Sequence, residues 1–323
     1  MKIGILGAGV IARKMAFTLN ALEETQCDAI GSRSLEKARK FAEENHVKKA
    51  YGSYEELVND PEIEMIYIAS PHSHHYEHAK LCLEHGKHIL VEKAFMANAA
   101  QAKEVLALTR EKGLLAAEAI WTRYLPSRKL IEEVISSGEL GEIHMVTANL
   151  GYDIRNVERL YKPELAGGAL LDVGVYPLNF ISMVLGSEMT SMQTSWVPYA
   201  TGVDAQNMAI FHYPDGKVAM MHSNILGGTE QNGIIYGAKG YLVADDVNHI
   251  RNIRIYDNQK KLVREIAVPE RINGFEYEVL ACVKAIREGK MECAEMPHKE
   301  TIAMLERMDA MRAEWGMRYP FEE

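Results

Sequence analysis

Three places in the chain hold residues whose types and spacing could do chemistry. The opening stretch ILGAGVIARKM puts Gly7 and Gly9 after an apolar run, with Ala12 where the third small residue of a Gly-x-Gly-x-x-Gly/Ala loop falls. In such a loop Gly7 allows the turn, Gly9 lets the backbone approach a pyrophosphate, and Ala12 lets the helix pack on its strand. The helix start at Val10 and Ile11 would then offer free N–H groups and a positive dipole end to the phosphates. In HILVEKAF, the apolar run Ile89-Leu90-Val91 ends in Glu92 and Lys93. Two charges at the end of a buried strand cost free energy unless they are paired, solvated or used. The carboxyl edge of an open α/β sheet is where such folds bind ligands. In GGALLDVGVYPLNF, Asp172 and Tyr176 are four apart and share a face if the stretch is helical. A helix cap and an amphipathic core residue would explain the same two letters, and Pro177 must lie in a first turn or kink the helix.

The second apolar run, AIGSRSLEKA, ends in Ser32, Arg33 and Ser34. An NAD site usually has an acid near this point for the ribose hydroxyls, whereas a guanidinium and hydroxyls suit a 2′-phosphate. NADP is therefore the expected cofactor, with NAD possible; Ser34 also reads as the cap of the next helix.

The elements that must position these residues alternate through the first 120 residues. Strands are expected at 2–6, 27–32, 63–69, 88–92 and 114–120, and helices at 10–22, 35–44, 54–58, 74–85 and 99–112. This alternation implies a parallel sheet covered on both faces. After residue 120 a helix (127–136) leads to a strand (142–152), a charged, glycine-containing loop, and a helix ending at Leu185. Residues 189–268 then read mostly as strands, with hairpin signals at YPDGK and GAKG, and 274–316 as two helical pieces. Two domains are expected: a Rossmann-type doubly wound α/β domain over 1–120, and an α+β domain over 121–323 with a large, mostly antiparallel, open-faced sheet.

The formal charge of −9 argues against a nucleic-acid partner, which requires concentrated basic surface. Cys27, Cys82, Cys282 and Cys293 form no Cys-x-x-Cys pair, as in reduced thiols of a cytosolic protein. Arg13 and Lys14 break the N-terminal apolar run, so it does not read as a signal peptide. No run of ~18–20 uncharged apolar residues stands out as a membrane span. A cytoplasmic location and no membrane are expected.

Together, GAGVIA, SPHSHHYEHAKLCLEHGKHILVEKA and GGALLDVGVYPLNF resemble the glucose-fructose oxidoreductase/inositol dehydrogenase (Gfo/Idh/MocA) family over nearly the whole chain. Within it, AEAIWTRYLP and GGALLDVGVYPL look most like the NADP-dependent dihydrodiol and D-xylose dehydrogenases. One letter departs: Ala94 stands where the family usually has proline. The resemblance implies hydride transfer between a nicotinamide and a carbinol carbon of a sugar, polyol or cyclic trans-diol. It maps the acid/base role onto Tyr176, with Lys93 beside it and Asp172 orienting the pair. It also places Ser70, Pro71, His72, His75 and Glu92 near the cofactor. Bringing a phenol from ~10 to ~7 requires about 4 kcal/mol. An ammonium ~4 Å away supplies about 1 kcal/mol in water and about 4 at an effective dielectric near 20. A lysine can do this only in a partly enclosed site. The competing reading is a non-catalytic dinucleotide-sensing protein on the same fold.

Six histidines lie between residues 72 and 88. On a helical wheel His74, His78 and His85 fall on a polar side, so solvent rather than metal is expected to face them, and no metal is expected. Trp121 and Arg123 follow the last strand of the first domain and should face the cleft, as candidate cofactor contacts; Trp121 is also a candidate wall of the substrate pocket. Residues 151–168 read as a mobile lid, with Tyr152 and Arg155 as substrate contacts beside Asp172 and Tyr176. AQNMAIFHYP and KVAMMHSNIL carry apolar residues on both faces, so a homodimer or higher oligomer through the second domain's sheet is expected.

Overall fold

The computed structural model describes residues 1–322. They form two compact units, Met1–Tyr124 with Arg271–Leu305, and Leu125–Glu270 with Glu306–Glu323. The single break expected near residue 120 is thus replaced by a chain that crosses between units three times. Helix amphipathicity at 274–316 shows that these helices have an apolar face, not which core it joins.

The first unit runs β1 (Lys2–Leu6), α1 (Val10–Ala21), β2 (Gln26–Gly31), α2 (Leu35–Glu44), β3 (Lys49–Tyr51), α3 (Tyr54–Val58), β4 (Met65–Ile68), α4 (His75–Glu84), β5 (His88–Glu92), α5 (Ala99–Lys112) and β6 (Ala116–Ala119). Its six strands stand in the order β3-β2-β1-β4-β5-β6 and pair in parallel throughout. Ile3, Ile5, Ile30, Ile66, Ile68 and Leu90 are wholly buried, as strands covered on both faces require. The strand order reverses between β1 and β4, the switch point at which doubly wound sheets open a crevice at their carboxyl edge. Strand β3 escaped the sequence reading because three half-buried residues, Lys-Ala-Tyr, carry no periodic signal. Ser34, Ser53 and Asn98 cap α2, α3 and α5 through their side chains, which is why those helix starts were legible.

The second unit holds α6 (Pro126–Ser136), β7 (Ile143–Gly151), α7 (Val175–Leu185), β8 (Ser191–Pro198), β9 (Asp204–His212), β10 (Val218–Asn224), β11 (Gly233–Gly237), β12 (Gly240–Ala244), β13 (Asn252–Asp257) and β14 (Leu262–Ala267). The eight strands stand in the order β14-β13-β12-β11-β7-β10-β9-β8; β7 and β10 pair in parallel and the other neighbours antiparallel. The hairpins turn at the two expected places, Tyr213–Lys217 and Ala238–Lys239. On β9 and β10, Ala205, Asn207, Ala209, Phe211, Ala219, Met221 and Ser223 are buried on one face, and Met208 and Met220 are exposed on the other. Helix α8 (Glu276–Arg287) returns to the first unit, and α9 (His298–Glu314) begins in the first and ends in the second.

Residues Pro163–Leu185 are long and apolar enough, by length and composition, to cross a membrane, although Glu164 and Asp172 interrupt the apolar run. The segment is 78% buried inside the fold, so its hydropathy is that of a core helix. It opens with a π-helical turn, Leu170–Gly174, before α7. Pro177 is the third residue of α7 and lies one turn past the π-helical stretch, so the proline falls inside one continuous helical segment, next to its departure from regular α geometry.

Candidate functional site

In the first unit, the loop after β1 is built around close backbone approach. Gly7 has φ +102°, its N–H donates to the Gly31 carbonyl at 2.9 Å, and a Cβ there would stand 3.0 Å from the Ala69 carbonyl oxygen. A Cβ on Gly9 would meet no described atom within 4 Å, so the loop leaves open space on that side. Val10 is 74% exposed at the start of α1, Ile11 is half-buried, and Ala12 is wholly buried against the sheet. An open helix N-terminus beside a glycine that faces open space is what a dinucleotide pyrophosphate requires. Ser32 is buried at the end of β2, its hydroxyl accepting from the Ser34 N–H at 3.4 Å, while Ser34 caps α2 and Arg33 is exposed. An exposed guanidinium at that strand end suits a phosphate, so the residues present fit NADP.

Lys93 lies half-buried past the end of β5, on the same carboxyl edge as the Gly7 loop. The turn from Lys93 to Ala97 is held by side chains. Glu92 Oε2 accepts from the Lys93 N–H at 3.2 Å, and His72 Nε2 meets the Lys93 carbonyl at 3.1 Å. His75 Nδ1 meets the Ala94 carbonyl at 2.9 Å. Glu118 Oε1 accepts from the Phe95 N–H at 3.1 Å, and Gln101 Oε1 from the Ala97 N–H at 3.3 Å. The Lys93–Ala94 peptide is cis although the residue is alanine. Glu92 also accepts from the Tyr67 hydroxyl, which accounts for its carboxylate at a buried strand end.

One expected cofactor contact, His75, is tied into the framework at both ring nitrogens. His75 is wholly buried, with Nε2 on the Ser70 carbonyl at 2.8 Å and Nδ1 on Ala94, so neither ring nitrogen faces a ligand. Burial pushes its imidazole down to about 4, and a neutral ring can donate to only one of the two carbonyls. His72 is buried beside it, the ring centroids 5.7 Å apart, while Pro71 stays half-buried. Of the supposed solvent-facing histidines only His85 is exposed. His78 packs edge-on against Tyr54 and its Nδ1 meets the Ser70 hydroxyl at 2.9 Å; burial pushes its imidazole down to about 4. Side chains on a first helical turn can fold back onto the preceding strand end, which a wheel does not represent. Asp28, Asp60 and Glu62 come close enough to suggest a metal site, but the Lys49 ammonium sits among them, 2.8 Å from Asp60 and 3.4 Å from Asp28.

Trp121 stacks on Phe275 at 4.8 Å, and Arg123 is 3% exposed and pairs with Glu300 at 3.4 Å. Both are thus tied to the segment that returns to the first unit. The same region holds buried Glu118, whose carboxyl burial pushes up to about 7, and Glu278, which burial also pushes up.

In the second unit, Asp172 and Tyr176 are buried on consecutive turns of the π/α segment. Arg159 Nη1 donates to Asp172 Oδ1 at 2.8 Å, a partner the sequence did not suggest because the two lie thirteen positions apart across short turns with no common period. The Tyr152 hydroxyl accepts from Asn248 Nδ2 at 3.1 Å, and burial raises its phenol pKa. Arg155 is exposed and donates to Asp153 at 2.9 and 3.0 Å, so it is engaged with its neighbour. The segment expected as a mobile lid is anchored: Ile154 N–H donates to Ile225, Leu160 is wholly buried, and the Tyr319 hydroxyl donates to the Gly167 carbonyl at 2.8 Å.

Comparison with known proteins agrees with this architecture. Residues 1–119 match the oxidoreductase family with an NAD-binding Rossmann fold, and residues 129–243 match the C-terminal domain of the same Gfo/Idh/MocA family. The chain is 32% identical to the trans-1,2-dihydrobenzene-1,2-diol dehydrogenase of Xenopus tropicalis over 99% of each chain. It is 32% identical to the NADP(+) D-xylose 1-dehydrogenase of Hypocrea jecorina over 84% of this chain and 78% of that one. Among solved structures, a 3-ketoreductase from Actinomadura kijaniata in complex with NADP and TDP-benzene superposes with a TM-score of 0.87 at 24% identity, covering 97% of each chain. An aldose-aldose oxidoreductase from Caulobacter crescentus complexed with glycerol superposes at 0.88 with 19% identity and 98% coverage of each. With both of its domains matched in order and near-complete coverage of curated dehydrogenases, this chain belongs to the Gfo/Idh/MocA family of NAD(P)-dependent oxidoreductases.

Proposed function

We propose that the protein is an NADP-preferring dehydrogenase that oxidises a hydroxyl of a sugar, polyol or cyclic trans-diol, or runs the reverse reduction. The observation that carries the reading is in the first unit. An open, glycine-built helix N-terminus after β1, an exposed Arg33 after β2 and a half-buried Lys93 after β5 stand on one carboxyl edge of one parallel sheet. Gly7, Gly9 and the start of α1 would hold the pyrophosphate, Arg33 and Ser32 the 2′-phosphate. The nicotinamide, when bound, supplies the hydride acceptor. This chain supplies the proton chemistry: Tyr176 takes the proton of the substrate hydroxyl at its phenolic oxygen, Lys93 favours the phenolate by charge, and Asp172 orients the arrangement. The dihydrodiol and D-xylose specificities of the relatives support a polyol-like substrate.

Mixing the protein with NADP and a panel of diols, sugars and polyols, and following the absorbance of reduced nicotinamide, tests this. Turnover with a preference for NADP over NAD supports it; tight NADP binding with no turnover across the panel overturns it in favour of a dinucleotide sensor. The buried thiols Cys27, Cys82, Cys282 and Cys293 are compatible with the reducing cytoplasm, which is where we place the protein. Exposed Met208 and Met220, with the stacked Tyr241–Tyr256 pair on neighbouring strands, support assembly into a homo-oligomer through the open sheet face. Sedimentation as a monomer at micromolar concentration overturns that part.

A further inference from the structure

The second unit contains a buried acid that no step above uses. Asp204, the first residue of β9, is wholly buried. Its Oδ2 accepts from the Leu170 N–H at 2.7 Å and from Asn207 Nδ2 at 2.7 Å. Asn207 Oδ1 in turn accepts from the Ser223 hydroxyl at 3.0 Å, and both residues are wholly buried. Asp204 Oδ1 has no hydrogen-bond partner among the described residues. This polar row lies against the segment that carries Asp172 and Tyr176, and two glycines let it come close. Gly168 has φ +115°, and a Cβ there would overlap Asp204 Oδ1; a Cβ on Gly174 would stand 2.9 Å from the Ser223 hydroxyl oxygen.

Leu170 is the first residue of the π turn, so its N–H is one of the donors that a helix start leaves without an internal acceptor. A capping side chain normally comes from the residue just before the helix; here the acceptor comes from a strand 34 residues away. We infer that Asp204 is a positioning residue for the reaction: through Leu170 it sets the register and direction of the turn that presents Asp172 and Tyr176. The inference rests on the proposed role of Tyr176. Reacting groups displaced by about an ångström lose on the order of 10²-fold in rate, so a fixed helix start has a kinetic consequence.

The charge state of Asp204 enters the test. Burial raises its carboxyl to about 7; its two donors lower it, as does Arg312, which is held by Glu322 and Asp309, and Tyr319 lies close by. The ionised form makes two charge-assisted bonds at Oδ2, and protonation removes the charge from both, so the grip on Leu170 tightens as pH rises through about 7.

The experiment compares wild type, Asp204→Asn and Asp204→Ala, with Tyr176→Phe alongside. Asp204→Ala should lower kcat about 10- to 100-fold while NADP binding stays within about twofold. Asp204→Asn, which keeps an acceptor of the same shape, should restore most of kcat but remove a step near pH 7 from the kcat profile. Hydrogen exchange at the Leu170 amide should quicken in Asp204→Ala and change little in Asp204→Asn. Should the alanine variant not fold, the asparagine variant decides. A pH profile in Asp204→Asn that matches wild type, or a normal kcat in Asp204→Ala, overturns the inference. Normal turnover in Tyr176→Phe overturns the proposed catalytic role instead, and the exchange at Leu170 still reports whether Asp204 holds the turn.

Discussion

The segment that carries Lys93 and the segment that carries Asp172 and Tyr176 hold their side chains by opposite means. Lys93 sits in an irregular turn with no ladder of its own, and five backbone groups from Lys93 to Ala97 are each met by a side chain. Asp172 and Tyr176 sit in a helical segment that satisfies its own backbone beyond the first turn, so it needs an anchor only at its start. The difference shows what each geometry asks of the fold. An irregular turn must recruit polar side chains from several elements, here Glu92, His72, His75, Gln101 and Glu118, because buried N–H and C=O groups without partners are costly. A helix needs few such partners but a fixed first turn. In both segments an important partner is a carboxyl raised by burial to about 7, Glu118 in one and Asp204 in the other.

The comparison can be broken most directly at the proton carrier. Tyr176→Phe keeps the ring and removes the hydroxyl, so turnover should fall by about 10² to 10⁴ with NADP affinity nearly unchanged. Steady-state kinetics with a parallel cofactor titration checks this, and near-normal turnover would defeat the mechanism. Lys93→Met should also damage turnover, but with a different signature: the basic limb of the surviving pH–rate profile should move to higher pH, because the phenolate loses a cation. It should weaken NADP as well if the lysine also holds the nicotinamide ribose. An unmoved basic limb would mean that Lys93 is not the phenol's charged neighbour.

Glu118→Gln tests the clamp on the Lys93 turn. The folded-state value of about 7 lies above the ordinary 4.5, so the folded chain keeps a proton that the unfolded chain gives up. The stability this group contributes is therefore whole below pH 4.5 and is lost as pH rises to about 7. The loss is on the order of 3 kcal/mol. Denaturant unfolding from pH 4 to 8 should show a fall in stability in wild type that is smaller by this amount in Glu118→Gln, the remainder including buried Asp204; equal slopes in the two proteins would mean that Glu118 is not a titrating group. The smallest expected effect sharpens the contrast by leaving both clamps alone. Arg33→Ala should weaken NADP by about 2 kcal/mol and leave NAD nearly unchanged. Equal losses for the two cofactors would give Arg33 a structural role.

Much of this was legible from the chain alone, where the signal is local. Gly7 and Gly9 after the strand-like run Ile3–Leu6, Ser34 and Asn98 before their helices, and the paired charges after Val91 each act within a few residues, so β1, β5, α2 and α5 could be placed closely from their letters. The family was legible because three separated motifs agreed. The return of 271–305 to the first unit was not, because an apolar helix face does not name the core it will join. Nor were the burial of Arg123 against Glu300, 177 residues away, or the engagement of both His75 nitrogens by backbone carbonyls. The π turn before α7 was hidden because a segment apolar on nearly all sides has no face from which to read its period. Sequence therefore determined which residues could do chemistry and the elements that bear them. Tertiary structure decided which of those residues are framework, because a buried polar group must find its partner in space, and that partner can lie anywhere along the chain.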